Sequence, residues 1–180
     1  VVPGHADTKL QFISKAATET GVGTSHTATG FVEFDPLSSG EGARGEIHLD
    51  LASIKTGIEL RDRHMRENHL ETGKYPEAVF TLTSLILPSG GLPEGLRTRV
   101  NVKGTLLLHG VEHSIEPESY LTLRNTPAGA AILVESEFNV KLSDYDIKRP
   151  QFLFLRLAEV QKMRVELHAV SSTRVADGTQ

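Results

Sequence analysis

Alternation of apolar and polar residues with a period of two runs through most of the chain, and this pattern restricts the fold more than any other feature. The segment GEIHLDL is the clearest example, because Ile47, Leu49 and Leu51 alternate with charged or polar neighbours. A strand with this pattern turns one face to a core and the other to water. Such segments, each bounded by turn residues, predict an all-β protein with antiparallel strands.

One stretch, residues 56–80, lacks the strand period and predicts the single helix of the chain. Thr56 and Glu59 have the T-x-x-E spacing of a capping box at a helix start. Gly73 is expected to end the helix in a left-handed conformation, and Pro76 cannot continue it. A single helix among strands suggests a cover over the mouth of a barrel.

A sheet with one apolar face needs more cover than one helix can give. Closure into a barrel buries that face and also removes the free edges of the sheet. A barrel of eight strands can be filled by side chains or can hold one small ligand. We therefore expect an eight-stranded antiparallel β-barrel in residues 1–171, followed by a polar tail in residues 172–180. A two-sheet sandwich is the structural alternative.

Two glycine-rich stretches are expected to connect strands. Residues 19–30, ETGVGTSHTATG, are small and polar and predict a loop. Gly40, Gly42 and Gly45 match the pattern G-x-G-x-x-G, but a strand follows them where a dinucleotide site needs a helix. The pattern therefore predicts a hairpin turn.

Histidine pairs raise the alternative of a haem- or metal-binding barrel. His109 and His113 are four residues apart in a strand–turn–strand segment, which favours polar turn histidines over metal ligands. His64 and His69 lie in the helical stretch. His64 can bond a neighbouring polar group, face a ligand, or ligate haem or a metal. The sequence leaves these interpretations open.

The composition and the absence of known motifs exclude several classes of function. The chain has no cysteine, which rules out thiolate catalysis and disulfides, and its net charge of −4 gives no basic surface for nucleic acid. No apolar run approaches the roughly 20 residues that cross a bilayer. Without a G-x-S-x-G or H-E-x-x-H motif we expect no catalytic residues and no enzyme activity. The outer faces carry no apolar stripe, so a monomer and a homodimer both remain open.

Five segments together resemble the YceI-like, polyisoprenoid-binding family, and the resemblance extends from about Val2 to Val170. The segments are VVPGHADTKLQF, DLASIKTGIELRDRHM with Arg61, Asp62 and His64, KYPEAVF, GTLLLHGVEHSI and IKRPQFLFL. The resemblance implies an extended lipocalin-like barrel that holds a long apolar chain. The ligand types that it implies are isoprenoid quinones, other polyisoprenoids and fatty amides.

The resemblance also implies a bacterial protein that is usually exported to the periplasm. The chain begins with Val1 and not with methionine, so a targeting segment has been removed or the chain has been trimmed. We therefore expect a periplasmic or secreted protein. The expected function is binding, transport or storage of a long-chain apolar lipid, with no other cofactor. A filled barrel that acts as a structural or interaction module is a further alternative.

The predicted ligand site is the apolar lumen, where each buried methylene contributes up to about 0.8 kcal/mol. The residues expected to line it are inward apolar residues of strands: Phe12, Phe34, Leu49, Phe80, Leu82, Leu108 and Phe138. His64 is the candidate for orienting a polar end of the ligand. Met65 from the helix, with Phe152 and Phe154 from a late rim segment, is expected to gate the lumen.

Overall fold

The computed structural model describes residues 8–15, 20–127, 129–152 and 155–171, and within residues 151–156 it describes backbone only. The strands are β1 (Lys9–Lys15), β2 (Thr20–Ser25), β3 (Ala28–Glu33), β4 (Arg44–Asp50), β5 (Glu77–Ile86), β6 (Thr98–Leu108), β7 (Val111–Ile115), β8 (Glu118–Thr126), β9 (Gly129–Lys141), β10 (Gln151–Phe152), β11 (Leu155–Arg156) and β12 (Val160–Val170). The helical segments are a 3-10 turn at Leu51–Ser53, the helix α1 (Glu59–His64), a π-helical turn at Met65–His69 and a 3-10 turn at Leu142–Tyr145.

Ten of these strands form one antiparallel sheet that curls into a nearly closed barrel. The order is β2-β1-β12-β9-β8-β6-β5-β4-β3, and β7 also pairs with β6. The two ends of this order, β2 and β3, are separated in the chain only by His26 and Thr27. Thr24 also exchanges two backbone hydrogen bonds of 2.9 Å with Lys55, beyond β4. With β2–β3 and β7–β8 each counted as one strand, the described sheet has eight strands, and the predicted antiparallel barrel is confirmed.

The prediction of a loop over residues 19–30 is wrong where the structure describes them, because residues 20–25 form β2 and β3 begins at Ala28. The small residues allow close packing between strands. A Cβ atom on Gly23 would lie 2.0 Å from the ring of Phe12. By contrast, the hairpin predicted at the three glycines is confirmed, and Gly40 and Gly42 have φ angles of 90° and 74°.

The predicted capping box at the helix start is also wrong. Helix α1 starts at Glu59 after Ile58, and no side chain caps its first turn. Thr56 lies outside the helix, too early in the chain to reach its free N–H groups. Instead, the Asp62 carboxylate reaches back and accepts a hydrogen bond of 2.8 Å from the Thr56 N–H and another from the Thr56 hydroxyl.

The helical segment ends earlier than Gly73, the residue predicted to terminate it. The left-handed residue is Glu71, with a φ angle of 46°. The N–H of Thr72 donates to the carbonyl of Arg66, six residues earlier, at 2.9 Å and closes the end of the π turn. Among the residues that the structure describes, every helical segment is far too short to cross a membrane.

Buried apolar residues form two clusters inside the barrel. One lies where β5 and β8 end and where β6 and β9 begin, and we call it the packed cluster: Leu85, Leu87, Leu92, Val100, Leu121 and Leu123. The loop after β5 is tied across this end, because the N–H groups of Leu87 and Leu92 donate to the carbonyls of Ser39 and Pro36 at 2.9 and 2.7 Å. The other cluster surrounds the space described next.

Candidate functional site

A cavity of about 600 Å³ occupies the barrel interior, which is a common size for a small-molecule site. Most of its wall comes from inward-facing apolar side chains of the strands. Leu49, Leu106 and Leu108 belong both to this wall and to the buried core. A barrel filled by its own side chains, one of the alternatives from the sequence, therefore does not describe this interior.

Most of the residues predicted to line the lumen do line the cavity: Phe12, Leu49, His64, Met65, Phe80, Leu82, Leu108 and Phe138. Phe34 does not, because β3 ends at Glu33 and the Phe34 ring packs against the packed cluster. The backbone of Phe152 lies in β10, but its side chain and the whole of Phe154 lie outside the described residues. Contact between any of these residues and a ligand stays a prediction.

The cavity wall also contains residues that were not predicted from the alternation of the strands. Some lie in loops and turns, where no alternation marks the inward side: Ile54, Ile58, Leu70, Ile147 and Leu157. Two others, Ser14 and Gln161, lie in β1 and β12 at inward positions. The period of two would have placed them inside, but their polarity did not suggest a lumen residue.

The helical segment covers one part of the cavity, as predicted for a single helix in a barrel. Its contribution to the wall consists of Leu60, Arg61, His64, Met65, His69 and Leu70. Leu70 donates its N–H to the carbonyl of Met65, five residues earlier, at 2.8 Å, and such π turns are frequent at functional sites. The side chains of Ile58 and Leu60 are 53% and 52% exposed, so the apolar wall reaches solvent beside the helix.

A group of polar contacts holds the start of the helical segment in place. Arg61 donates from Nε to the Thr56 hydroxyl at 2.8 Å and from Nη2 to the Thr56 carbonyl at 3.1 Å. The carboxylate of Asp62, which is buried, accepts a hydrogen bond from the N–H of Thr56. The Arg61 cation at the cavity wall is therefore partly satisfied by the protein itself.

Two histidines of the helical segment also face the cavity. His69 donates from Nδ1 to the carbonyl of Lys148 at 3.0 Å. Burial lowers the pKa of His69 from 6.5 and the neighbouring His64 adds to this shift, whereas the bond to Lys148 opposes it. His69 is therefore expected to be neutral at neutral pH. The Nδ1 atom of His64 lies 3.3 Å from the Nδ2 atom of Asn68.

The histidines of the β6–β7 hairpin support the turn and do not form a metal pair. His109 is buried, with Nδ1 bonded to the Tyr145 carbonyl at 3.0 Å and Nε2 to the Glu71 carboxylate at 2.8 Å. His113 bonds the carbonyl of Asp144 at 2.7 Å. Within the described ranges, no three His, Cys, Asp or Glu side chains are placed to hold a metal ion.

Comparison with known protein families gives one match that spans nearly the whole chain. The model of the YceI-like domain matches residues 3–170. Protein YceI from Escherichia coli O157:H7 is 30% identical over 105 residues, which are 57% of this chain and 51% of that protein. Protein YceI from Shigella flexneri matches to the same extent. This alignment thus spans about half the length of these relatives.

Solved structures with the same fold have lower sequence identity. The crystal structure of Burkholderia cenocepacia BcnA is 19% identical, with a TM-score of 0.74 over 92% of this chain and 98% of that one. A polyisoprenoid-binding domain from Saccharophagus degradans, implicated in plant cell wall breakdown, is 21% identical, with a TM-score of 0.72 over 92% and 94% of the two chains. At these identities the likeness shows a common fold.

Proposed function

We propose that this chain, which belongs to the YceI-like family, binds a long-chain apolar lipid in the lumen of its barrel. The observation that carries the proposal is the apolar cavity of about 600 Å³ enclosed by the strands. A hydrocarbon chain in this space would bury methylenes at up to about 0.8 kcal/mol each, before ordering costs. The similarity in fold to a domain described as polyisoprenoid-binding supports this ligand class.

Polyisoprenoids, isoprenoid quinones and fatty amides all fit such a lumen, because each combines a long apolar chain with a small polar end. Selectivity would come mainly from the length and width of the chain. The flexible thioethers of Met65 and Met163, both in the wall, can adapt to chains of different shape. The proposed role is therefore carriage or storage of a lipid, in the periplasm or outside the cell.

The proposal concerns binding and not catalysis. The serines of the cavity wall, Ser14 and Ser136, are the hydroxyl groups closest in type to a nucleophile. In the part of the chain that the structure describes, Ser14 Oγ has no hydrogen-bond partner and Ser136 Oγ lies 2.8 Å from Ser119 Oγ. Neither hydroxyl is hydrogen-bonded in this part of the chain to a general base such as histidine or lysine, which would activate it as a nucleophile.

Mass spectrometry of an organic extract tests the proposal directly. The protein is purified from its native host without detergent, and the extract is compared with that of a Met163→Trp variant, whose larger side chain would occupy the lumen. We expect a long-chain lipid in stoichiometric amount from the wild type and much less from the variant. An extract without lipid, or equal amounts from both proteins, would contradict the proposal. An absorption spectrum of the same sample detects haem, the alternative ligand.

A further inference from the structure

Two polar side chains with unsatisfied oxygen atoms lie in the otherwise apolar wall of the cavity. Ser14 is 1% exposed and Gln161 is 7% exposed, and both line the cavity. Neither Ser14 Oγ nor Gln161 Oε1 has a hydrogen-bond partner among the described residues. Burying such atoms without a partner costs free energy, so the site is expected to be completed by something else.

The pairing of β1 with β12 brings the two residues to the same end of the strand pair. In this register Leu10 is opposite Val165 and Phe12 is opposite Met163. The register ends at Ile13 opposite Lys162, and continuing it by one residue brings Ser14 opposite Gln161. Opposite side chains in an antiparallel pair have Cβ atoms roughly 5 Å apart. The row of cavity-lining pairs is thus apolar, apolar and then polar.

The orientation of the Gln161 amide is fixed by the backbone. Its Nε2 atom donates to the carbonyl of Ala158 at 2.6 Å, so the unpartnered atom is the amide oxygen, which can only accept. The Ser14 hydroxyl can donate and accept. Gly21, opposite Ser14 on β2 and also in the cavity wall, has no side chain to cover this hydroxyl.

We propose that Ser14 and Gln161 bind a hydroxyl or N–H group of the lipid within the cavity. This inference rests on the proposed function and specifies the ligand class. An O–H group satisfies both residues, because it donates to Gln161 and accepts from Ser14. Alcohols and phenols such as quinols have such a group, and a primary fatty amide can donate its N–H to Gln161 while its carbonyl accepts from Ser14. An oxidised quinone, an ether or a hydrocarbon leaves the Gln161 oxygen without a donor.

Farnesol and its methyl ether provide a matched pair of probes, because the ether keeps the oxygen and the chain and replaces the donor hydrogen by a methyl group. Binding of each to delipidated protein is measured by competition with a fluorescent apolar probe. The wild type is expected to bind farnesol about 10-fold more tightly than the ether, the ratio expected from one net hydrogen bond. In Ser14→Ala with Gln161→Leu the two affinities should become equal. A Val160→Ala variant, altered at the exposed neighbouring position of β12, should keep the ratio.

The results separate this inference from the proposed function. Equal affinities of the wild type for farnesol and its ether would overturn the polar subsite and leave lipid binding intact. No binding of either probe would overturn both. The ligand-free melting temperature gives an independent reading, because removal of an unsatisfied Ser14 oxygen should not lower it. A clear drop for Ser14→Ala alone would mean that this hydroxyl is already satisfied in the empty protein, and would also overturn the inference.

Discussion

The packed cluster and the cavity contain the same kinds of apolar residue and share Leu85 and Leu121, yet beyond these two residues one region is filled and the other is hollow. At the packed cluster, Leu92 from the loop after β5 reaches into the barrel, and the backbone of this loop is bonded to the carbonyl of Pro36. At the cavity, the cover is a helical segment held by contacts of Asp62 and Arg61 with Thr56. Its apolar side chains contribute to the wall and leave about 600 Å³ between them.

The difference shows that apolar composition does not decide whether a barrel is filled. The deciding factor is how far the covering segment extends its side chains between the strands. Side chains around a void lack contacts on one side, so they contribute less dispersion energy than side chains in a close-packed core. We infer that an apolar residue of the packed cluster contributes more stability than one that faces the cavity, whereas the cavity provides space in which a ligand can make the missing contacts.

Truncation of one apolar residue in each region should separate these roles most strongly. Leu123→Ala is expected to lower the free energy of unfolding by about 2–5 kcal/mol, because it leaves a void in a close-packed site. Phe138→Ala is expected to cost roughly 1–2 kcal/mol in ligand-free protein, because its ring already faces the cavity. Urea denaturation of both variants gives the comparison. Equal losses would mean that the two regions are packed alike.

Removal of the carboxylate that anchors the helical segment should have the next largest effect. Asp62→Ala leaves the N–H and hydroxyl of Thr56 without their acceptor, and we expect a loss of about 1–3 kcal/mol. Hydrogen exchange should increase in residues 56–70 and remain unchanged in the packed cluster. Glu67→Ala, at an exposed position of the same segment, serves as the control and should change little. Equal exchange in both variants would show that Asp62 does not anchor the cover.

Enlargement of a side chain should have opposite effects in the two regions. Met163→Trp places extra volume in the cavity and is expected to stabilise the ligand-free protein by about 0.5–2 kcal/mol, while lipid binding is lost. Leu123→Trp overfills the packed cluster and should cost about 1–3 kcal/mol. Thermal unfolding without lipid measures the change in stability of each variant, and the shift in melting temperature on adding lipid measures binding. The comparison fails if Met163→Trp is destabilising and still binds lipid.

The smallest expected effect is a pH dependence of stability with opposite sign at two histidines. The pKa of His69, at the cavity, is lowered from 6.5 by burial. Between the lowered pKa and 6.5, His69 therefore binds more protons in the unfolded chain than in the folded protein. Its contribution to stability rises as the pH rises through this range. The pKa of His48, on the outer face, is raised mainly by its hydrogen bond to Glu46 and then by that to Glu77. Its contribution is present at low pH and is lost as pH rises through the raised pKa.

Unfolding measured between about pH 5 and pH 8 tests both signs. When the unfolding free energy of His69→Asn is subtracted from that of the wild type at each pH, the difference should increase with pH. The same subtraction for His48→Gln should give a difference that decreases. A flat difference for His69 would mean that its ring is as well solvated in the folded protein as in the unfolded chain, and would place it away from the covered region.

Much of the fold and part of the site could be predicted from local pattern. The period of two assigned Leu49 and Phe80 to the inner face, and the break in that period located the helical segment that covers the cavity. Local pattern was less reliable for individual ends and caps. Thr56 proved to be a hydrogen-bond donor to Asp62 and not a cap, because the helix begins three residues after it and the Asp62 carboxylate, six residues along, reaches back to it.

The amino-acid sequence by itself determined which face each strand residue occupies, because alternation along an extended backbone depends only on neighbouring residues. Tertiary structure decided which residues meet across strands. Thr24 and Lys55 join to help close the barrel, and Ser14 from the first strand is brought beside Gln161 from the last. Such contacts depend on the pairing register of distant segments, which long-range hydrogen bonds and packing fix together. For the same reason the position of the cavity, and the polar pair in its wall, could be recognised only in the folded chain.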